Sequence, residues 1–251
     1  FLLTNSTIQP PVDAIKHQLQ GNIEFNHVRF VYPHTGIVAL DDFNLKIRKG
    51  EKIALIGRTG SGKSTIGQLL LRFYDPSNGT IKVDGVDLKQ LNLQHYRTQV
   101  SYVPQEVFLF SDSIGNNISF GAAGADSDRV KMAATAASVH KDIESFPASY
   151  QTMVGERGVT LSGGQKQRIS IARALVKDPG LIILDDCLNA VDARTEQEIL
   201  THLSTFLEDK TAIVITHRIF SLLQFDRIIV MDDGRIAEQG THEELLQKQG
   251  L

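Results

Sequence analysis

The sequence predicts an α/β protein: a mostly parallel sheet covered by helices, preceded by an antiparallel β layer and interrupted by an inserted α-helical subdomain. Three observations lead there. Ile53–Ile56, Leu181–Leu184, Ala212–Ile215 and Ile228–Met231 are continuous apolar runs, mostly β-branched or Leu, as in strands buried on both faces. Nearer the N-terminus, apolar residues alternate with polar ones instead: Ile23 and Phe25, Val28 and Phe30, then Phe43, Leu45 and Ile47. That is the pattern of half-exposed strands. Between about Ser111 and Thr160 strand signals vanish, and Asp126–Ile143 is rich in the helix former Ala.

The remaining elements follow in chain order. Residues 1–20 carry Pro10 and Pro11 with no sustained period, and read as a linker arriving from something upstream; residues 21–251 read as the folded domain. A first residue of Phe rather than Met suggests an excised piece. Lys49-Gly50 marks a turn, and Ile81 and Val83 sit between the turn signals Asn78-Gly79 and Asp84-Gly85. Ile66, Leu69, Leu70 and Phe73 have helical spacing, which stops at Asp75-Pro76. The helical subdomain is expected over about 111–175. Asp233-Gly234 closes a hairpin and Glu243–Gln247 forms a short terminal helix.

Composition excludes several classes. At 251 residues and 41% hydrophobic, the chain buries a real core and is not generally disordered. Twenty-six basic against 29 acidic residues give a net charge of −3, so no bulk positive field draws nucleic acid or an anionic membrane surface. The single cysteine, Cys187, excludes an internal disulfide and a cysteine-built zinc site, and fits a reducing compartment. No apolar run exceeds four residues, against ~18 for a membrane span. Phe1-Leu2-Leu3 is too short for a signal peptide. A soluble, intracellular protein is expected.

Three motifs carry chemistry. Gly57-Arg58-Thr59-Gly60-Ser61-Gly62-Lys63-Ser64, followed by Thr65, matches the phosphate-binding loop G-x4-G-K-[ST]. Its glycines let backbone N–H groups curl round phosphates, Lys63 adds a point charge, and Ser64 offers a hydroxyl to Mg²⁺. A buried strand before and a helix after are the required context, and both are expected here. Leu181–Asp185 is a buried strand ending in a carboxylate, which in phosphate-loop ATPases holds the Mg²⁺ shell; alone, it is equally a helix cap. Leu161-Ser162-Gly163-Gly164-Gln165 opens a helix with a capping box, Ser162-x-x-Gln165. Capping does not explain two glycines in the first turn, each costing ~1 kcal/mol against Ala. A second anion site does.

With these residues in order, the chain resembles the nucleotide-binding domain of an ATP-binding cassette (ABC) transporter over roughly residues 21–251. Tyr32 in Phe30-Val31-Tyr32-Pro33, the phosphate loop, Gln105 after Pro104, the signature Leu161–Gln165, Asp185, Asp192 and His217 before Arg218 all fall in the family's order. The resemblance implies a head-to-tail dimer holding two ATP molecules. In it, Tyr32 stacks on adenine and Gly57–Thr65 wraps the phosphates. Ser64, Gln105 and Asp185 serve Mg²⁺, and Gln105 senses the transmembrane partner. His217 contacts the γ-phosphate and the attacking water. Ser162, Gly163, Gly164 and Gln165 act on the opposite subunit's ATP.

Thr152-Met153-Val154-Gly155-Glu156-Arg157-Gly158 resembles the stretch that exporters carry before the signature. It implies a transmembrane domain, upstream in the same chain or separate, that touches near Glu156. The implied location is the cytoplasmic face of the cell (inner) membrane, with no nucleic-acid partner.

One departure matters most. After Asp185 the family places Glu, which polarises the hydrolytic water; here it is Asp186, and Cys187-Leu188-Asn189 replaces the usual Ala-Thr-Ser. A carboxylate withdrawn by ~1 Å can cost ~10²-fold in rate. Two readings stay open: a hydrolysing ATPase domain that powers export, with Asp186 as a short-armed base, and a nucleotide-gated clamp within a heterodimer whose partner supplies the Glu. A third, the DNA-repair branch of the superfamily, lacks its long coiled-coil insertion here.

Overall fold

In the computed structural model, residues 8–9, 11–122, 124–155, 159–217 and 224–248 are described. Strands β1 (Ile23–Val31) and β2 (Val38–Ile47) come first, then β3 (Lys52–Gly57), the phosphate loop and helix α1 (Lys63–Leu70). Next are β4 (Asn78–Val83), β5 (Val86–Asp87), α2 (Leu93–Thr98) and β6 (Val100–Val103). A helical stretch follows: α3 (Ile114–Ser119), α4 (Ser127–Ala136), α5 (His140–Ser145) and α6 (Gly163–Leu175). The chain then returns to the sheet through β7 (Leu181–Asp185), α7 (Ala193–Phe206), β8 (Thr211–Ile215), β9 (Arg227–Asp232), β10 (Arg235–Gly240) and α8 (His242–Lys248).

Two sheets result. The first is antiparallel, in the order β2–β1–β4–β5. The second runs β10–β9–β3–β8–β7–β6, parallel except for the β9–β10 hairpin. The apolar runs of β7 and β8 are continuous because each of these strands feeds two cores. Leu181, Ile183, Ile213 and Ile215 face the antiparallel layer and α1, among Phe25, Phe43, Ile66 and Leu69. Their neighbours Ile182, Leu184, Ala212 and Val214 face the other way, among Ala134, Ile169, Ile199 and Leu203. A polar side chain at any of these positions would lose its water without gaining a partner.

Two local readings change and two details are added. Helix α1 stops at Leu70, and Phe73 lies outside it, half exposed. Arg97 explains this: its guanidinium takes Leu71 O and Arg72 O, carbonyls freed at the helix end, and lies 5.4 Å from the Phe73 ring centre. Asn78-Gly79 is not a turn but the start of β4, beside a bulge in its pairing with β1. Gly79 has φ +81°, and a Cβ there would come 2.3 Å from His27 O. The Ala-rich segment makes two helices, separated where Ser138 takes φ +52°. Strand β6 escapes sequence reading because Ser101 and Tyr102 interrupt its apolar pattern; it is an edge strand paired only to β7.

The described part of the N-terminal stretch lies against the domain. Ile15 bridges to Leu91 through two backbone hydrogen bonds. The Asp84 carboxylate, on the Asp84-Gly85 turn, accepts from the N–H groups of Gln20 and Asn22.

Candidate nucleotide-binding site

Strands β3, β8, β7 and β6 run in parallel and end together, with Leu55 opposite Ile215, Ile215 opposite Asp185, and Leu184 opposite Val103. Ligands of open parallel sheets bind beyond such carboxyl ends. The phosphate loop leaves β3 there, Asp185 ends β7, Gln105 follows β6 and His217 follows β8. The topology gathers four of the sequence-selected segments onto one edge. Gln105 and His217 are both exposed there.

The loop needs glycine where it is tightest. Gly57 has φ +149°, and a Cβ on it would meet Met231 O at 2.2 Å; Gly62 has φ +96° and would meet Ala39 O at 2.3 Å. Both neighbours are backbone and cannot yield. The opening N–H groups of α1 have no carbonyl one turn earlier, so they face outward as anion donors. Lys63 folds over this loop, its ammonium donating to Gly57 O at 2.8 Å and Arg58 O at 2.7 Å. Burial holds that ammonium below the usual lysine range, against the pull of Asp185 and Asp186.

Asp185 is clasped from two sides. Ser64 donates its hydroxyl to Oδ1 and Tyr102 to Oδ2, each at 3.1 Å. Burial pushes the Asp185 carboxyl above its usual range, and these two donors work against that. A hydroxyl and a carboxylate side by side are hard oxygen donors of the type Mg²⁺ takes. Among the described residues no group of three or more His, Cys, Asp or Glu could hold a metal. An ion here therefore needs oxygens from elsewhere, as it does when bound to phosphates.

Tyr32 sits beside α1 rather than projecting freely. Its hydroxyl hydrogen-bonds Thr65 Oγ1 and donates to Gln68 Oε1, both at 2.9 Å, and its ring packs edge-on against Phe30 and Tyr74. Sequence reading found the ring and missed the hydroxyl's partners.

Asp186, the residue in question, has φ +47°, a left-handed conformation that Asp tolerates better than most residues. Its N–H is tied to Ile215 O at 2.8 Å, and one carboxylate oxygen accepts from the side-chain amide of Asn189. Cys187 and Leu188 are buried in the helical core. Burial pushes the Cys187 thiol up to about 12, leaving it a packing group. Asp192 caps α7 through Thr195 N–H.

The signature begins α6. The capping box is complete: Ser162 Oγ accepts from Gln165 N–H, and Gln165 Oε1 accepts from Ser162 N–H. Gly164 has a further reason to be glycine, because a Cβ would come 2.9 Å from Ala190 O. Gln167, missed in the sequence, holds the same loop by accepting from Ala190 N–H. Asp142 on α5, also missed, accepts from Gln165 Nε2 at 3.1 Å and Arg168 Nη1 at 2.8 Å. The hydrogen bonds found for Ser162–Gln165 run within α6 and to Asp142 or Arg168, none to the phosphate loop. Glu156, Arg157 and Arg218 lie outside the described residues.

A phosphate loop at the end of a buried strand, a carboxylate on the next-but-one strand and a separate capped glycine pair define the class: an ATP-binding domain of cassette type. Comparison with known proteins agrees. The ABC transporter family profile matches residues 40–189. ATP-binding cassette sub-family B member 5 of Mus musculus is 47% identical over 234 residues, covering 93% of this chain and 19% of that protein. The ATP-dependent lipid A-core flippase of Alkalilimnicola ehrlichii is 46% identical over 232 residues, covering 92% and 39%. The solved structure of a bacterial Atm1-family ABC exporter with ATP bound superposes with a TM-score of 0.92 at 40% identity, covering 97% of this chain and 43% of that one. The chain belongs to the ABC transporter family, as an ATP-binding domain, and spans less than half the length of these relatives.

Proposed function

We propose that this domain binds MgATP at the edge formed by Gly57–Thr65 and Asp185, and that its ATP cycle powers export through a transmembrane partner. The observation that carries this is the clasp of Asp185 by Ser64 and Tyr102 directly beside the phosphate loop. In this reading Lys63 turns from its loop carbonyls to the terminal phosphates, and the N–H groups opening α1 bind phosphate oxygens. Tyr32 offers its ring to the base. Ser64 and Asp185, with Gln105, hold Mg²⁺, which when bound neutralises charge on the phosphates. His217 orients the water that attacks the γ-phosphorus; the bond to the β–γ bridging oxygen breaks, and the proton is offered to Asp186, whose short arm takes it so inefficiently that this site turns over slowly.

Half of the triphosphate is left without donors by one subunit. Ser162–Gln165, whose hydrogen bonds among the described residues run within its own lobe, suits the ATP of a second domain placed head to tail. A groove of about 300 Å³ lined by Val107, Phe108, Val154, Gly155 and Lys166 suits the transmembrane partner, on the cytoplasmic face of the membrane. Asp186 favours a slow site of its own, in a heterodimer whose partner turns over faster.

Steady-state phosphate release tests this. Asp186→Glu is expected to raise turnover and Asp186→Asn to change it little. Wild-type turnover of ~1 s⁻¹ or more, collapsing in Asp186→Asn, would falsify the slow-site reading.

A further inference from the structure

Asp186 differs from an ordinary short-armed base in what holds it. The Asn189 side-chain amide donates to its Oδ2. An amide gives a hydrogen bond but takes up no proton at neutral pH, so this contact orients the carboxylate without relaying its proton. The backbone supports the contact at both ends. Asp186 is fixed by its N–H to Ile215 O, with φ +47°. Asn189 sits on a loop pinned by buried Cys187 and Leu188 before it. Ala190 N–H on Gln167 and Val191 N–H on Leu188 O hold it after. With both ends fixed, the amide and the carboxylate meet without freedom to drift apart, so the contact costs little further entropy.

We propose that Asn189 is a positioning residue: it holds the Asp186 carboxylate toward the loop after β7 and thereby sets the slow turnover of this site. The inference rests on the proposed role of Asp186 as the proton acceptor. Its consequence is that lengthening the arm alone is not enough. A Glu at 186 must also escape Asn189 before it reaches a water, so the two positions are energetically coupled.

A double-mutant cycle on the full chain measures that coupling, with kcat and KM from phosphate release and nucleotide Kd from calorimetry. Asp186→Glu is expected to raise kcat about threefold and Asn189→Ser about twofold. Together they are expected to exceed the product of the two by about fivefold, within the range for residues in direct contact. KM and Kd should stay within about twofold, because neither residue contacts the phosphate loop through the observed hydrogen bonds. A merely structural Asn189 would instead lower the melting temperature and shift Kd. Asn189→Ala, which keeps the buried anchors Cys187 and Leu188, provides a second variant should Ser disturb the loop.

Strict multiplicativity in both cycles overturns the inference and leaves the role of Asp186 intact. A gain from Asn189→Ser with none from Asp186→Glu supports capture by Asn189 and removes the reach argument instead.

Discussion

Tyr102, on edge strand β6, donates its hydroxyl to Oδ2 of Asp185 on the adjacent strand at 3.1 Å, opposite the Ser64 hydroxyl on Oδ1. The pair is the only link from β6 side chains to the Asp185 carboxylate among the described hydrogen bonds, and it makes Tyr102→Phe informative. Burial raises the Asp185 carboxyl, so the folded state holds its proton more tightly than the unfolded state does. Stability from this group therefore falls as pH rises from the unfolded carboxylate range through the raised folded value, and is lowest above both. Removing one donor deepens that loss. Tyr102→Phe is expected to cost about 1–2 kcal/mol at neutral pH, shrinking as Asp185 protonates. Urea unfolding of both proteins at neutral and acidic pH checks it.

Lys63→Ala should separate binding from folding. The ammonium is buried and held below its usual range by desolvation, so its loss relieves a cost in the protein without nucleotide. The melting temperature is expected to hold or rise while the ATP dissociation constant increases at least a hundredfold. Calorimetric titration and thermal melts measure the two; unchanged affinity would rule out the loop as the phosphate cradle.

Tyr32→Phe tests whether the ring or the hydroxyl matters. Stacking uses the ring alone and predicts full tolerance. The hydroxyl's bonds to Thr65 and Gln68 fasten the aromatic to α1, so Phe is expected to cost roughly 1 kcal/mol of stability and a few-fold in ATP and GTP affinity alike. Tyr32→Ala should weaken both nucleotides much further. A large difference between ATP and GTP would point to a reader of the base edge instead.

Gly164→Ala should act twice. Its Cβ would sit 2.9 Å from Ala190 O, so the start of α6 and the Asn189–Val191 loop must separate, at about 1–3 kcal/mol. Dimer-dependent hydrolysis should fall as well. Ser162→Ala is the gentler probe: it loses one cap bond, about 1 kcal/mol, and should spare ATP binding to the monomer. Sedimentation with MgATP and filter binding distinguish the two variants. Loss of monomer affinity in Ser162→Ala would place the signature in cis.

Asp142→Asn should loosen the signature from a distance. Asp142 accepts from both Gln165 and Arg168; burial pushes its carboxyl up, and these two hydrogen bonds together with the Arg168 charge outweigh that and keep it low. Its stabilisation is present above the unfolded carboxylate range and lost as pH falls through the lowered folded value. The variant should therefore match wild type in acid and be less stable at neutral pH, with weaker dimer-dependent hydrolysis.

Much of this was legible before any coordinates. The apolar runs at Ile53, Leu181, Ala212 and Ile228 announced strands buried on both faces, because only a sheet covered twice leaves no position for a polar residue. The phosphate loop was legible because wrapping an anion with backbone N–H groups demands glycine at fixed spacing, and the Ser162–Gln165 cap because one helical turn sets its register. What tertiary structure alone decided depends on residues distant in the chain. Tyr102 lies 83 residues from Asp185, and its strand carries too little apolar pattern to be seen. Gly164 is bound to glycine by Ala190, Gln165 by Asp142, and the end of α1 by Arg97. Local sequence encodes propensity and periodicity, whereas a hydrogen bond or a forbidden Cβ depends on which backbone the fold brings alongside. The same division governs Asp186: its identity was plain in the sequence, and its grip by Asn189 came only from the left-handed turn that ends β7.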